Sequence, residues 1–144
     1  MTEKKKIVIL EDDESDLIKR YSSFNNLENE VHVYLNFNSK RVTKELNKAG
    51  FTNIHTGLPK KLLSEKFLNE MNTKNRIRQG ALILNEETPV EGDVYYSDGL
   101  NGECFEFLYS LPKEKVNVCS GSAWIIREAE SLGYKIYGSN GVGK

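Results

Sequence analysis

The sequence has no apolar run long enough to cross a membrane and few residues of the kinds that build disulfide or zinc sites. Its 144 residues include two cysteines, Cys104 and Cys119, whose spacing fits neither a metal-binding motif nor a disulfide framework. His32 and His55 lie far apart in sequence and alternate with apolar residues, so neither is assigned as a ligand. The lysine-rich start leads into an apolar stretch too short for a secretory signal. These absences favour a soluble protein of the reducing cytoplasm.

The net charge of −1 conceals a strong segregation of charge along the chain. Residues 40–79 carry ten Lys or Arg and three Glu, whereas residues 86–106 carry seven acids and no base. A basic surface of this kind suits an acidic partner or nucleic acid. These bases, however, fall on the polar faces of predicted helices without interleaved aromatic residues. A solvated helix surface is therefore the preferred interpretation, and nucleic acid is not expected as a partner.

Hydrophobic periodicity predicts alternating strands and helices over residues 1–144, which we assign to a single domain. Strands that alternate with helices imply a mostly parallel sheet covered on both faces. The predicted class is therefore α/β, a doubly wound, flavodoxin-like three-layer sandwich. The predicted strands are 6–11, 31–37, 51–55, 93–97, 116–118 and 135–137, and the predicted helices are 15–25, 40–49, 60–78, 104–111 and 123–132.

Two of the predicted strands end in carboxylates. The run Lys6–Leu10 leads into the acidic cluster 11–14, and Val94–Ser97 leads into Asp98. The carboxyl ends of parallel strands share one edge of a sheet, which is where ligands of open α/β sheets bind. Converging carboxylates suit a hard divalent cation such as Mg²⁺. The alternative is that the acids after the first strand only cap the next helix.

Four segments, in order, resemble the receiver domain of two-component response regulators. These are Ile7–Leu17 with its acidic cluster, Asp93–Asp98, Val116–Gly121 with a hydroxyl residue after its strand, and Ala129–Tyr137. The resemblance covers residues 5–26 and 92–140. The resemblance depends on the shared order of the four segments.

The resemblance implies a role for particular residues. It places Mg²⁺ on Asp12, Asp13 and Asp98, makes Asp98 the phosphoacceptor, gives Ser120 a contact with a phosphoryl oxygen and makes Tyr137 the aromatic switch residue. A protein partner, either a histidine kinase or an output protein, follows from it. The function expected is that of a signalling switch and not of an enzyme.

The chain also departs from the receiver pattern. Receivers carry a lysine after the last strand, where this sequence has Asn140. The chain contains a basic insertion at about residues 39–90, one β/α unit more than a receiver needs, and lacks the final helix. The insertion or a second subunit could cover the exposed sheet, so a homodimer is left open. We therefore expect an atypical, degenerate receiver, and switching without phosphorylation is left open.

Two alternatives remain from the sequence. Residues 138–144 match the G-x-x-x-x-G-K part of a phosphate-binding loop, although the following Ser or Thr and helix are missing. A nucleotide-binding fragment is therefore one alternative, and a glycine-rich tail is preferred. The other is a Mg²⁺-dependent phosphohydrolase with Asp12 or Asp98 as nucleophile and Asp13 on the metal. That reading lacks an evident general acid.

Overall fold

The computed structural model describes residues 4–37 and 39–137 and confirms the predicted α/β class. A six-stranded sheet, parallel throughout, is flanked by helices. The strands are β1 Lys5–Glu11, β2 Asn29–Leu35, β3 Asn53–Thr56, β4 Leu58–Pro59, β5 Leu84–Asn85, β6 Val94–Asp98, β7 Val116–Cys119 and β8 Lys135–Ile136. The helices are α1 Glu14–Tyr21, α2 Lys40–Lys48, α3 Glu65–Thr73, α4 Cys104–Ser110 and α5 Ala123–Ser131.

The strand order of the sheet is β3-β2-β1-β6-β7-β8. The part β2-β1-β6-β7-β8 has the flavodoxin-like order, and β3 adds a strand beyond β2. The extra strand expected from the surplus chain therefore lies at the sheet edge, and the short strands β4 and β5 pair separately. The expected lack of a final helix concerns residues after Tyr137, which lie outside the described residues.

Alternate residues of β1 point to two separate apolar layers, as the pleat of a strand requires. Val8 and Leu10 pack in the layer that contains buried residues of α3, α4 and α5. Ile7 and Ile9 pack in the layer that contains Leu17 and Tyr21 of α1 and buried residues of α2. Both faces of β1 are thus covered, and only its ends are available for polar chemistry.

The single long helix predicted after Pro59 is wrong. Residues 60–62 form a 3₁₀ turn, Leu63 is extended, and α3 begins only after Ser64. The Ser64 hydroxyl accepts a hydrogen bond from the Phe67 N–H at 3.0 Å, which stabilises a helix start at that position. The helix ends at Thr73, and Asn75 adopts a left-handed φ of 59°. Local capping therefore overrides the apolar periodicity of this segment.

None of the helices in the described part of the chain is both long and apolar enough to cross a membrane.

Candidate functional site

The sheet reverses its direction of growth at β1. The chain proceeds from β1 outward through β2 to β3 and then returns to β6 on the other side of β1. Ile9 lies opposite Tyr96, and Leu10 lies opposite Ser97. The next positions along these two strands are Glu11 and Asp98. The carboxyl ends of β1 and β6 therefore form the crevice where doubly wound folds bind ligands.

Three carboxylates meet in this crevice. Glu11, Asp12 and Asp98 each place an oxygen within 4.8 Å of the others. Glu11 is fully buried, Asp98 is partly buried and Asp12 is exposed. The cluster therefore runs from the protein interior to solvent. Of the acids named from the sequence, Asp12 and Asp98 are brought together as predicted.

Glu11 is the least satisfied member of the cluster. Its Oε1 accepts a hydrogen bond from the Asp12 N–H at 3.0 Å, whereas its buried Oε2 has no hydrogen-bond partner. Burial, followed by the negative charge of Asp98, raises the pKa of Glu11 to about 9. A buried carboxylate oxygen without a partner is costly unless it meets a cation or takes up a proton.

The pKa of Asp98 is also raised. Burial is the main cause that raises its pKa to about 6, and the nearby Asp12 carboxylate adds to the effect. The Leu100 N–H donates to Asp98 Oδ2 at 3.2 Å and opposes the rise. A cation bound in this crevice would therefore stabilise the charged forms of both carboxyl groups.

Asp13 serves a different purpose in the described structure. It is the N-cap of α1, and its carboxylate accepts a hydrogen bond from the Asp16 N–H at 3.0 Å. Its predicted role as a metal ligand stays a prediction. The residue that completes the cluster is Glu11, one position earlier in sequence.

Arg20 is the basic group nearest to the cluster among the ion pairs of the described residues. Its Nη1 lies 3.8 Å from Glu11 Oε2 and 4.0 Å from Asp98 Oδ1. Its Nη2 lies 3.9 Å from Asp16, one turn earlier on α1. Helix α1 therefore directs a guanidinium toward the carboxyl ends of both strands.

Ser120 lies beside the loop that follows Asp98. It is buried directly after β7, and its Oγ accepts a hydrogen bond from the Ser122 N–H at 3.0 Å. A Cβ at Gly99 would lie 2.9 Å from this Oγ, so the two loops approach closely only because residue 99 is glycine. Ser120 is thus near the site, and its contact with a phosphoryl group stays a prediction.

Tyr137 packs in an aromatic group with Tyr21, Phe24 and Tyr96. Its ring centroid lies 4.9 Å from that of Tyr96 and 6.0 Å from that of Tyr21. Tyr96 precedes Asp98 by two residues on β6. These contacts connect Tyr137 to the strand that carries Asp98, and its role as a switch residue stays a prediction.

The loop after Asp98 packs against Trp124 of α5, the one tryptophan of the chain. Gly102 has a φ of 93°, and a Cβ there would lie 2.9 Å from the Trp124 ring. Leu100, in the same loop, also has a positive φ of 49°, a conformation that a leucine rarely adopts. The indole is half-exposed and therefore sits where a change in this loop alters its surroundings.

An open cleft of about 610 Å³ adjoins the cluster. Its lining includes the acidic residues Asp12, Asp13 and Glu14 and also Arg76 from the basic insertion. Arg76 forms a salt bridge with Glu103, in the loop that follows Asp98. The insertion is therefore tied directly to the region of the site.

A second polar cluster lies on strands β2 and β3. His32 Nδ1 is 3.0 Å from His55 Nε2, and His32 Nε2 is 2.6 Å from a Glu30 carboxylate oxygen. Burial, followed by the proximity of His32, lowers the pKa of His55. These side chains partner one another and take no part in the carboxylate cluster.

Sequence reasoning missed Glu11 and Arg20, and strand parity could have identified Glu11. Glu11 follows Ile7 and Ile9 at alternate positions, so it belongs to the buried face that α1 covers. Its place at the start of the acidic run 11–14 conceals this position on the strand. No local signal identifies Arg20, because its role depends on where α1 lies over the two strands.

No protein-family model matches the chain, and neither a curated protein nor a solved structure shows significant similarity to it. The resemblance to receivers stays a prediction, and the phosphate-binding-loop motif at 138–144 lies outside the described residues.

Proposed function

We propose that the chain is a receiver-like signalling domain, a Mg²⁺-dependent protein-interaction switch with Asp98 as its phosphoacceptor. The observation that carries this proposal is the buried Glu11 Oε2 without a hydrogen-bond partner, grouped with Asp12 and Asp98 at the crevice of a doubly wound sheet. A carboxylate kept in this state costs stability and is best explained by a ligand.

Glu11, Asp12 and Asp98 have the chemistry to hold Mg²⁺. All three offer carboxylate oxygens, and the exposure of Asp12 leaves room for the water molecules that Mg²⁺ retains. When bound, the ion supplies positive charge that offsets the repulsion between the carboxylates and an incoming phosphoryl group. The raised pKa values of Glu11 and Asp98 support this assignment, because burial disfavours both negative charges even with Arg20 nearby and a bound cation would favour them.

Asp98 is placed to act as the nucleophile. Its Oδ2 accepts the Leu100 N–H, and its partial exposure leaves the carboxylate open to a phosphodonor. In the proposed transfer, an Asp98 oxygen forms a bond to phosphorus while the bond from phosphorus to the donor atom breaks. The leaving group departs with the electron pair. Positioning and charge stabilisation supply most of the catalysis in such transfers.

The loop from Gly99 to Glu103 is the proposed route from the site to a partner. Its backbone contacts Asp98, its Gly99 adjoins Ser120, and its Gly102 packs against Trp124 on α5. Added negative charge on Asp98 would attract the Ser120 hydroxyl and so shift this loop. Local changes of charge bias two-state segments in this way. A protein partner, either a histidine kinase or an output protein, and a cytoplasmic location belong to the same proposal.

Titration with Mg²⁺ and then with beryllofluoride, a phosphoryl mimic, tests the proposal. The fluorescence of Trp124 reports on the loop, and calorimetry gives the affinities directly. We expect saturable Mg²⁺ binding, followed by beryllofluoride binding only in the presence of Mg²⁺. Asp98→Asn should abolish the second step. Asp93→Asn, at the opposite end of the same strand, should leave both steps unchanged.

Two results would overturn this proposal. One is the absence of Mg²⁺-dependent beryllofluoride binding in the unmodified chain. The other is steady Mg²⁺-dependent turnover of p-nitrophenyl phosphate that Asp98→Asn removes, since a switch has to keep its modification and a phosphohydrolase releases it.

A further inference from the structure

The guanidinium of Arg20 has an unused donor beside the proposed phosphoacceptor. Its Nη1 is buried and has no hydrogen-bond partner, although Glu11 Oε2 and Asp98 Oδ1 lie 3.8 Å and 4.0 Å away. Both separations exceed the range of about 2.7–3.2 Å for an N–H···O hydrogen bond. This donor is thus close to two carboxylates but forms a hydrogen bond with neither.

Helix α1 holds this side chain in place. Asp13 caps the helix start, and the fully buried Leu17 and Tyr21 anchor the helix to the sheet on either side of Arg20. Asp16 lies 3.9 Å from the second terminal nitrogen. Because the helix and the sheet fix its position, Arg20 needs little rearrangement to contact a group on Asp98.

A phosphoryl group on Asp98 would supply the missing acceptor. It adds three acceptor oxygens and about 1.5 to 2 negative charges. The carboxylate oxygen that faces Arg20 is Oδ1, whereas Oδ2 is engaged by the Leu100 N–H. Arginine suits this task because its planar fork binds phosphoryl oxygens with two donors at once.

We propose that Arg20 is the basic partner of the phosphoryl group on Asp98. This inference rests on the proposed function and revises the expectation that the site lacks such a partner because Asn140 stands where receivers carry lysine. Arg20 contacts the phosphoryl oxygens from helix α1. The chain is then competent for phosphorylation, and the degenerate interpretation no longer follows from the missing lysine.

The test compares beryllofluoride affinity at saturating Mg²⁺ in Arg20→Gln, Arg20→Met and Lys19→Gln. Lys19 is exposed and adjacent on the same helix, so its variant loses the same charge without approaching the site. We expect the Lys19 variant to match the unmodified chain and both Arg20 variants to bind beryllofluoride roughly ten- to a hundredfold more weakly. Mg²⁺ alone should bind the Arg20 variants at least as tightly, since a competing positive charge is gone.

A purely structural role for Arg20 predicts a different pattern. As a counter-ion for Glu11 and Asp98 only, its loss would lower the melting temperature and leave beryllofluoride affinity within twofold, which would overturn the inference. If both neutral variants fail to fold, NMR of the unmodified chain decides the question: the Arg20 guanidinium resonances should shift when beryllofluoride binds at saturating Mg²⁺, and unchanged resonances contradict the inference. Failure of the unmodified chain to bind beryllofluoride would instead reject the proposed function itself.

Discussion

The two ends of the β1–β6 strand pair carry carboxylates in opposite states. At the amino end, the exposed Asp93 carboxylate accepts a hydrogen bond from the Lys6 N–H at 2.8 Å, and the Asp93 N–H returns one to the Lys6 carbonyl at 2.8 Å. At the carboxyl end, Glu11 is buried and Asp98 is partly buried, and Glu11 Oε2 has no hydrogen-bond partner. The same two strands thus hold one satisfied acid and one unsatisfied cluster.

This difference separates an acid that stabilises the fold from acids whose burial lowers its stability. Asp93 closes the start of the strand pair and needs no further partner. Glu11 and Asp98 have raised pKa values because burial, followed by repulsion from a neighbouring carboxylate, disfavours their charged forms. The burial of the acids at the carboxyl end, more than their number, is what makes that end the candidate functional site.

The largest effect should come from Glu11→Gln compared with Asp93→Asn. The glutamine keeps the shape of the side chain and removes its charge, so Mg²⁺ affinity should fall by roughly a hundredfold or more. The metal-free variant should nevertheless gain about 1–3 kcal/mol of stability at pH 7. Asp93→Asn should leave Mg²⁺ binding intact and lower stability by about 0.5–1.5 kcal/mol, since it weakens a hydrogen bond. Calorimetry and urea unfolding measure the two quantities.

The sign of the stability change follows from the Glu11 pKa. Folding raises that pKa from 4.5 to about 9, so between these pH values the folded chain holds a proton that the unfolded chain has released. Unfolding therefore becomes easier as the pH rises through this window, and glutamine removes the dependence. A Glu11→Gln variant that is less stable than the original at pH 8 would show that Glu11 is a structural acid like Asp93.

The next effect is the pH dependence of Mg²⁺ binding. Asp98 has a pKa of about 6, so below that pH the ion has to displace its proton. Mg²⁺ affinity should be at least about tenfold weaker at pH 5 than at pH 7. Asp93→Asn should keep this dependence. Asp98→Asn should reduce it, and the part that remains should come from Glu11, whose pKa is raised to about 9. Equal affinity at both pH values would mean that the ion binds elsewhere.

A smaller effect is expected at Ser120. Ser120→Ala removes the proposed phosphoryl contact and the acceptor for the Ser122 N–H, so beryllofluoride affinity should fall several-fold and stability by about 1 kcal/mol. Ser122→Ala is the matched control, because the Ser122 side chain makes no capping hydrogen bond to α5. If both variants bind beryllofluoride alike, Ser120 supports the loop only.

The smallest effect is expected at the His32–His55 pair. These side chains have polar partners, as Asp93 does. The pKa of His55 is lowered by burial and by His32, so as the pH falls below about 6.5 the unfolded chain takes up a proton first and stability is lost. His55→Gln should reduce this loss by less than about 1 kcal/mol between pH 7.5 and 5.5, as read from melting temperatures. Mg²⁺ binding should not change. Altered Mg²⁺ binding would mean that the two clusters are coupled.

Much of the fold and part of the site followed from the sequence. Strand ends predicted that Asp12 and Asp98 meet, because parallel strands share one carboxyl edge. The sequence offered both a metal-binding and a helix-capping role for Asp13 and did not decide between them, since both roles need the same side chain at the same place. The position of β3 beyond β2 and the approach of Arg20 depend on long-range packing. Neither leaves a signal in local periodicity.

The distance along the chain between β1 and β6 has a consequence for folding. Lys6 and Asp93 are 87 residues apart, whereas β2 is the next strand after β1. Closing the longer loop costs more chain entropy, so the β1–β2 pair is expected to form first and the β1–β6 seam late. The carboxylates therefore come together only when that seam closes. Their repulsion then opposes the last stage of folding. Bound Mg²⁺ should therefore slow the separation of β1 from β6.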